Sequence, residues 1–137
     1  MSPMKKTKRV ILCVDDDAEF LGSLKAVLEA AGYGVETATG VEEGLEKYRK
    51  SNPDLLIVDL MMEEMDSGLV FVRKIRALGS IPPLYLLSAV GSDLSSLADM
   101  RGEGVTDILQ KPVSSEVLIQ LVGTKLGIEQ IGGGRQR

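Results

Sequence analysis

The sequence predicts an α/β fold in which a parallel β-sheet is covered on both faces by helices. Two observations predict it. Short apolar runs, too short for helices, recur along the chain. Between them lie longer stretches whose apolar residues return at helical spacing, so strand and helix alternate five times. Runs that are apolar throughout also suit strands buried on both faces, which is the condition of a parallel sheet.

Val10–Val14 is the first strand. Phe20, Leu21, Leu24, Val27 and Leu28 mark the first helix, with Gly32 as its stop signal. Val35–Ala38 is a short second strand. Val41, Leu45 and Tyr48 line one face of a second helix, whose solvated side carries Glu42, Glu43, Glu46, Lys47, Arg49 and Lys50; Pro53 closes it. Leu55–Val58, the most hydrophobic run, is the third strand. Phe71, Val72, Ile75 and Leu78 give a third helix, and Leu84–Leu87 a fourth strand. Leu94, Leu97 and Ala98 suggest a fourth helix, rich in serine and thin in apolar anchors. Val105–Leu109 is the fifth strand. Leu118, Leu121, Val122 and Leu126 line a last helix that Ser114 or Ser115 caps. These elements form one domain, residues 9–126, between an N-terminal tail (1–8) and a flexible C-terminal tail (127–137) whose Gly132-Gly133-Gly134 favours no single conformation.

Composition narrows the function. The 137 residues suit one domain, and 44% hydrophobic with 26% charged residues is an ordinary globular balance. No apolar run approaches the roughly 20 residues that span a bilayer, so membrane insertion is not expected. The apolar stretch after the basic start is too short for a signal-peptide core. A net charge of -4 speaks against direct nucleic-acid binding, which needs clustered Lys and Arg. Cys13, the single cysteine, reads as a small buried strand residue. A cytoplasmic location fits all of this.

In such sheets, ligands bind where polar groups converge at the carboxyl ends of the strands. Asp15, Asp16 and Asp17 follow strand one, Asp59 follows strand three, Ser88 strand four, and Lys111-Pro112 strand five. Asp54 falls at the opposite end, and Asp107 reads as solvated. Several carboxylates on one edge repel one another, and a hard cation resolves the conflict. Oxygen donors suit magnesium; soft metals are disfavoured in a chain without histidine. Lys111 is either a plain ion-pair partner or a counter-charge for phosphate oxygens. Together, carboxylate, metal, lysine and hydroxyl are what phosphoryl transfer requires, and an aspartate can be the nucleophile.

Four segments carry a resemblance: Ile11-Leu12-Cys13-Val14-Asp15-Asp16-Asp17, then Leu55-Leu56-Ile57-Val58-Asp59-Leu60-Met61-Met62, then Leu86-Leu87-Ser88-Ala89, then Lys111-Pro112. In this order, at strand ends, they resemble the response-regulator receiver domains of two-component signalling, including the chemotaxis regulator. The resemblance implies a flavodoxin-like doubly wound (βα)5 fold with sheet order 2-1-3-4-5. It implies Asp59 as phosphoacceptor, and Mg2+ held by Asp16, Asp59 and the Met61 carbonyl, with Asp15 holding a metal-bound water. Ser88 and Lys111 would bind the phosphoryl oxygens, and the Lys111–Pro112 bond would be cis. Implied partners are a sensor histidine kinase or phosphotransfer protein and an unknown output protein. The resemblance also leaves room for a homodimer through the face of the fourth helix, fifth strand and fifth helix. Turnover of a free substrate is not expected.

The departures carry weight too. Glu63-Glu64 stand where the family usually has Pro-Gly or similar, and Ile108 stands three residues before the lysine, where the family usually has Tyr or Phe. They keep open a second reading, a degenerate receiver that binds partners without phosphorylation. Met61 and Val90 occupy the positions that flank the hydrolytic water in this family; both are apolar, so a long-lived phosphorylated state is expected. A haloacid-dehalogenase-type hydrolase fits less well, since Glu19 stands four residues after Asp15 where that family has Thr or Val. A flavodoxin-like cofactor binder lacks its phosphate loop after strand one, where aspartates would repel a phosphate.

Overall fold

The computed structural model describes residues 8–62, 67–89 and 102–126. In order these are β1 (Val10–Val14), α1 (Ala18–Ala30), β2 (Gly34–Ala38), α2 (Val41–Ser51), β3 (Leu55–Asp59), α3 (Ser67–Arg76), β4 (Leu84–Ser88), β5 (Asp107–Gln110) and α4 (Ser115–Leu126). The strands are all parallel, in the order β2-β1-β3-β4-β5, so the expected doubly wound sheet is present. The helix expected around Leu94, Leu97 and Ala98 lies outside the described residues, and so do the Glu63-Glu64 segment, Val90 and both tails apart from Lys8.

The uniformly apolar strands divide by parity, because successive side chains point to opposite faces. Leu12, Val14, Leu56, Val58, Leu84 and Leu86 join Phe71, Val72 and Ile75 of α3 on one face. Ile11, Cys13, Leu55, Ile57, Tyr85 and Leu87 meet Leu21, Leu24 and Leu28 of α1 and Leu118 and Val122 of α4 on the other. The central strands β1, β3 and β4 are thus sandwiched, and their polar groups are confined to their ends, whereas the edge strand β2 leaves Glu36 exposed in mid-strand. Among the described residues no helix is long and apolar enough to cross a membrane.

Helix ends follow local chemistry. Asp17 caps α1, its carboxylate accepting from the Phe20 N–H at 3.1 Å, and Gly32 takes up the left-handed turn beyond α1 at φ +104°. Ser114 is the cap of α4, accepting from the Val117 N–H at 3.1 Å. Helix α2 ends at Asn52, which adopts the left-handed conformation (φ 50°), and Pro53 follows that cap.

Other boundaries shift. Strand β5 begins at Asp107, two residues later than expected; Val105 is buried but precedes the pairing. Leu78 lies beyond the end of α3 and is 54% exposed, so it is no part of that helix's apolar face. Asp107 is half-buried, with its carboxylate accepting from the Ile108 N–H at 2.9 Å, and is not a freely solvated residue. Asp54 does lie at the opposite end, where it accepts from the Val10 N–H at 2.8 Å and pins the start of β1.

Candidate functional site

Strands β1 and β3 are neighbours in register Val14↔Val58, so Asp15 and Asp59 end side by side. Each site segment continues the sheet's hydrogen bonding past its strand. The Asp15 N–H donates to the Ala38 carbonyl at 3.0 Å, Leu60 to Leu87 at 2.8 Å, and Lys111 to Ser88 at 2.7 Å. Asp59 pairs with Leu87, which places Ser88 one residue farther along the same edge. Asp59 and Ser88 are the last residues of their strands rather than the first after them.

Four of the expected side chains converge. The Lys111 ammonium lies 2.8 Å from Asp15 Oδ2 and 3.7 Å from Asp59 Oδ2. Carboxylate oxygens of Asp15, Asp16 and Asp59 lie within 4.8 Å of one another. Asp15 and Asp59 are buried, whereas Asp16 is exposed. The other Asp15 oxygen accepts from the Asp17 N–H at 2.9 Å, which fixes the turn between β1 and α1. Ser88 is buried at the same edge, and the Lys111–Pro112 bond is cis, as expected.

Burial and the charge of Asp15 push the Asp59 carboxyl up to about 6, against the pull of Lys111 and of a hydrogen bond from the Met61 backbone. Burial disfavours the Lys111 ammonium, but the hydrogen bond to Asp15 and the charges of Asp15, Asp59 and Asp17 outweigh it, and its pKa is raised. Lys111 is therefore charged at neutral pH, and the Asp59 carboxyl takes up a proton more readily than an ordinary aspartate.

The donor set suits a hard divalent cation. Three carboxylates stand together, one open to solvent, with one ammonium on them among the contacts of the described residues. Cys13 cannot contribute, because it faces the α1 and α4 side of the sheet and burial pushes its thiol up to about 12. The structure also brings in a residue that the strand-end pattern did not show. The Lys111 ammonium lies 4.8 Å from the centroid of the Phe20 ring. The cap at Asp17 places that ring in the first turn of α1; the contact spans most of the chain, and sequence periodicity carries no sign of it.

Ile108, at the usual aromatic position, is half-buried and packs against the α3-side core. Met61 is apolar and 47% exposed beyond Asp59.

Comparison with known proteins agrees with this geometry. A family model, the response regulator receiver domain, matches residues 11–123. Response regulator MprA of Mycobacterium leprae is 38% identical over 109 residues, covering 80% of this chain and 47% of that protein. The alkaline phosphatase synthesis transcriptional regulatory protein PhoP of Bacillus subtilis is 32% identical over 104 residues, covering 76% of this chain and 42% of that protein. The chain thus spans about half the length of these curated relatives or less. Among solved structures, a CheY-like receiver domain protein from Methanospirillum hungatei superposes with a TM-score of 0.80 at 28% identity, over 92% of this chain and 99% of that one. Vibrio cholerae CheY4 superposes with a TM-score of 0.79 at 29% identity, over 87% and 99%. Sheet order, the acidic edge with its lysine, and the extent of the family match agree: the chain belongs to the response regulator receiver domain family.

Proposed function

We propose that Asp59 is the phosphoacceptor of this receiver. The supporting observation is its position: buried at the end of β3, beside Asp15 and Asp16, and 3.7 Å from the Lys111 ammonium. A carboxyl pushed up to about 6 is still mostly ionised at pH 7, so the nucleophile is available. Its oxygen attacks the phosphorus of a phosphohistidine on a sensor kinase or phosphotransfer protein. The new P–O bond forms as the P–N bond breaks, and the bonding electron pair leaves on the imidazole nitrogen. Lys111 stands where its charge offsets that of the phosphoryl oxygens, and Ser88 supplies a hydroxyl on the same edge. Asp16, Asp59 and the Met61 carbonyl are the proposed holders of Mg2+, with Asp15 on a metal-bound water. When bound, the ion supplies further neutralisation of charge.

The test is incubation with acetyl phosphate and magnesium, read by intact mass. One phosphoryl group is expected on the parent and none on Asp59→Asn. Equal labelling of the two refutes the assignment.

The half-buried Ile108 favours a second reading, a receiver that keeps the fold and binds partners unphosphorylated. Absence of labelling in the same assay, with an intact fold, selects it. The output is proposed to be a contact with a cytoplasmic protein, in keeping with a net charge of -4. Several relatives carry the name transcriptional regulatory protein, so the matching experiment has two arms: pull-down and DNA-shift assays on phosphorylated and unphosphorylated forms.

A further inference from the structure

Lysine brings a compact charge on a flexible four-carbon stem, and ordering that stem costs rotamer entropy. Something must aim it. At this site the Lys111 ammonium has two kinds of neighbour. On one side are Asp15, at 2.8 Å, and Asp59, at 3.7 Å. On the other is the face of the Phe20 ring, 4.8 Å away at the centroid. The face of an aromatic ring carries the negative part of its quadrupole and attracts a cation, more so where water is kept away. The Lys111 side chain is 26% exposed, so the contact is partly desolvated.

The ring is itself tied to the acidic edge. Asp15 accepts from the Asp17 N–H, and Asp17 accepts from the Phe20 N–H. Asp15, Asp17, Phe20 and Lys111 thus form a closed circuit, in which the aspartates that make the edge also set the ring that steadies its lysine.

We infer that Phe20 is a positioning residue for Lys111, its ring holding the ammonium over the Asp15–Asp59 edge during phosphoryl transfer. This rests on the function proposed above. Before transfer, Asp15 holds the ammonium. When phosphoryl oxygens arrive at Asp59, they compete with Asp15 for it. A third carboxylate at the place of the ring would draw the ammonium away. An uncharged π face keeps it within reach and leaves its hydrogen bonds free to change partner.

Phe20 also packs against the α1-side core, so its role could be filling alone. The experiment separates the two. The initial rate of phosphorylation is measured against acetyl phosphate concentration at saturating magnesium for the parent, Phe20→Leu and Phe20→Tyr. Leucine keeps the apolar filling and loses the π face; tyrosine keeps both. Phe20→Leu is expected to lower the rate about fivefold, a typical consequence of losing such a contact at a partly desolvated site. Phe20→Tyr is expected to restore it, and the magnesium midpoint for thermal stabilisation is expected to be the same in all three. In proton NMR the Lys111 ε-methylene resonances should sit upfield, under the ring current, in the parent and Phe20→Tyr, and move downfield in Phe20→Leu. Phe20→Met replaces the leucine variant, with the same expected outcomes, should that protein be unfolded at the assay temperature. An unchanged rate in Phe20→Leu overturns the inference. So do equal losses in the leucine and tyrosine variants, or a magnesium midpoint that moves with the rate. If the parent itself is not labelled, or Asp59→Asn is labelled equally, the failure belongs to the phosphoacceptor reading.

Discussion

Replacing Asp59 by asparagine should stabilise the metal-free domain, and only above acid pH. Asp59 is 6% exposed and faces Asp15 and Asp16. In the folded state its pKa is about 6, against 3.8 in its absence of structure. Below pH 3.8 the carboxyl is protonated in both folded and unfolded chains, and the folded state bears no charge penalty there. As pH rises from about 4 to about 6, the unfolded chain releases its proton first, so stability falls across this window and levels off above the folded pKa. The two pKa values put the loss on the order of 3 kcal/mol. For a domain of this size that is a melting shift of roughly 10 °C. Asparagine has nearly the same shape and no charge at any of these pH values. The assay is thermal unfolding by circular dichroism in EDTA from pH 4 to 8, parent against Asp59→Asn. The two should melt alike near pH 4 and diverge to about 10 °C in favour of asparagine by pH 7. Millimolar magnesium should narrow the gap by stabilising the parent. A gap that does not change with pH, or a less stable asparagine variant at pH 7, would refute the description of Asp59 as a buried carboxylate under repulsion.

Other perturbations test other parts of the structure. A Cβ on Gly68 would lie 2.4 Å from the Asp59 carbonyl oxygen and 2.7 Å from Leu60 Cα, so Gly68→Ala must lift the start of α3 off β3. Its melting temperature should fall by several degrees, in keeping with about 1–3 kcal/mol of overpacking, while Gly22→Ala, with open space around it, should be neutral or slightly stabilising. Cys13 is buried and its thiol is pushed up to about 12, so a thiol reagent at pH 8 should modify it only after denaturation; rapid modification of the native protein would contradict its placement. On the proposed reading the Met61 side chain, exposed and apolar just beyond Asp59, cannot orient a hydrolytic water by a hydrogen bond, so Met61→Asn should shorten the phosphorylated lifetime several-fold, and an unchanged or longer lifetime would count against that role.

Strands β1, β3 and β4 were legible because burial on both faces makes them apolar along nearly their whole length, and the site because its polar residues interrupt those runs at one end. What burial does not report was misjudged. Val105 is buried by packing, but pairing with β4 is taken up just after it, by Thr106. The Thr106 N–H donates to the Leu84 carbonyl at 2.8 Å, and its hydroxyl accepts from the Leu84 N–H at 2.9 Å. Leu78 has helical spacing, yet the helix stops at Arg76 and the chain turns through Gly79 at φ +140°. Asn52 was readable in principle, since asparagine tolerates the left-handed conformation better than most residues and precedes a proline. Phe20 was not readable as a site residue: its spacing is that of any core-facing helix residue, and its contact with Lys111 exists only once α1 and the end of β5 are brought together.

The backbone explains how so charged an edge stays in place. Asp15, Leu60 and Lys111 each add one more rung to the ladder, so the main chain at the site is held whatever the side chains carry. Lys111 is the exception in its support, because it follows β5, an edge strand that is half-buried and ends at the exposed Gln110. The same 2.7 Å hydrogen bond joins it to Ser88. On the proposed reading, a phosphoryl group on Asp59 draws both the lysine and the serine toward it. That pull acts on the least buried strand of the sheet, where displacement costs the fewest contacts. Ile108 sits in that strand with a β-branched side chain whose χ1 is restricted, and it has no ring to turn between inward and outward positions. On that reading, movement of β5 as a unit, carried by the Ser88–Lys111 bond, would take the place of an aromatic rotamer change, and hydrogen exchange at Ile108 and Leu109 that does not respond to phosphorylation would refute it.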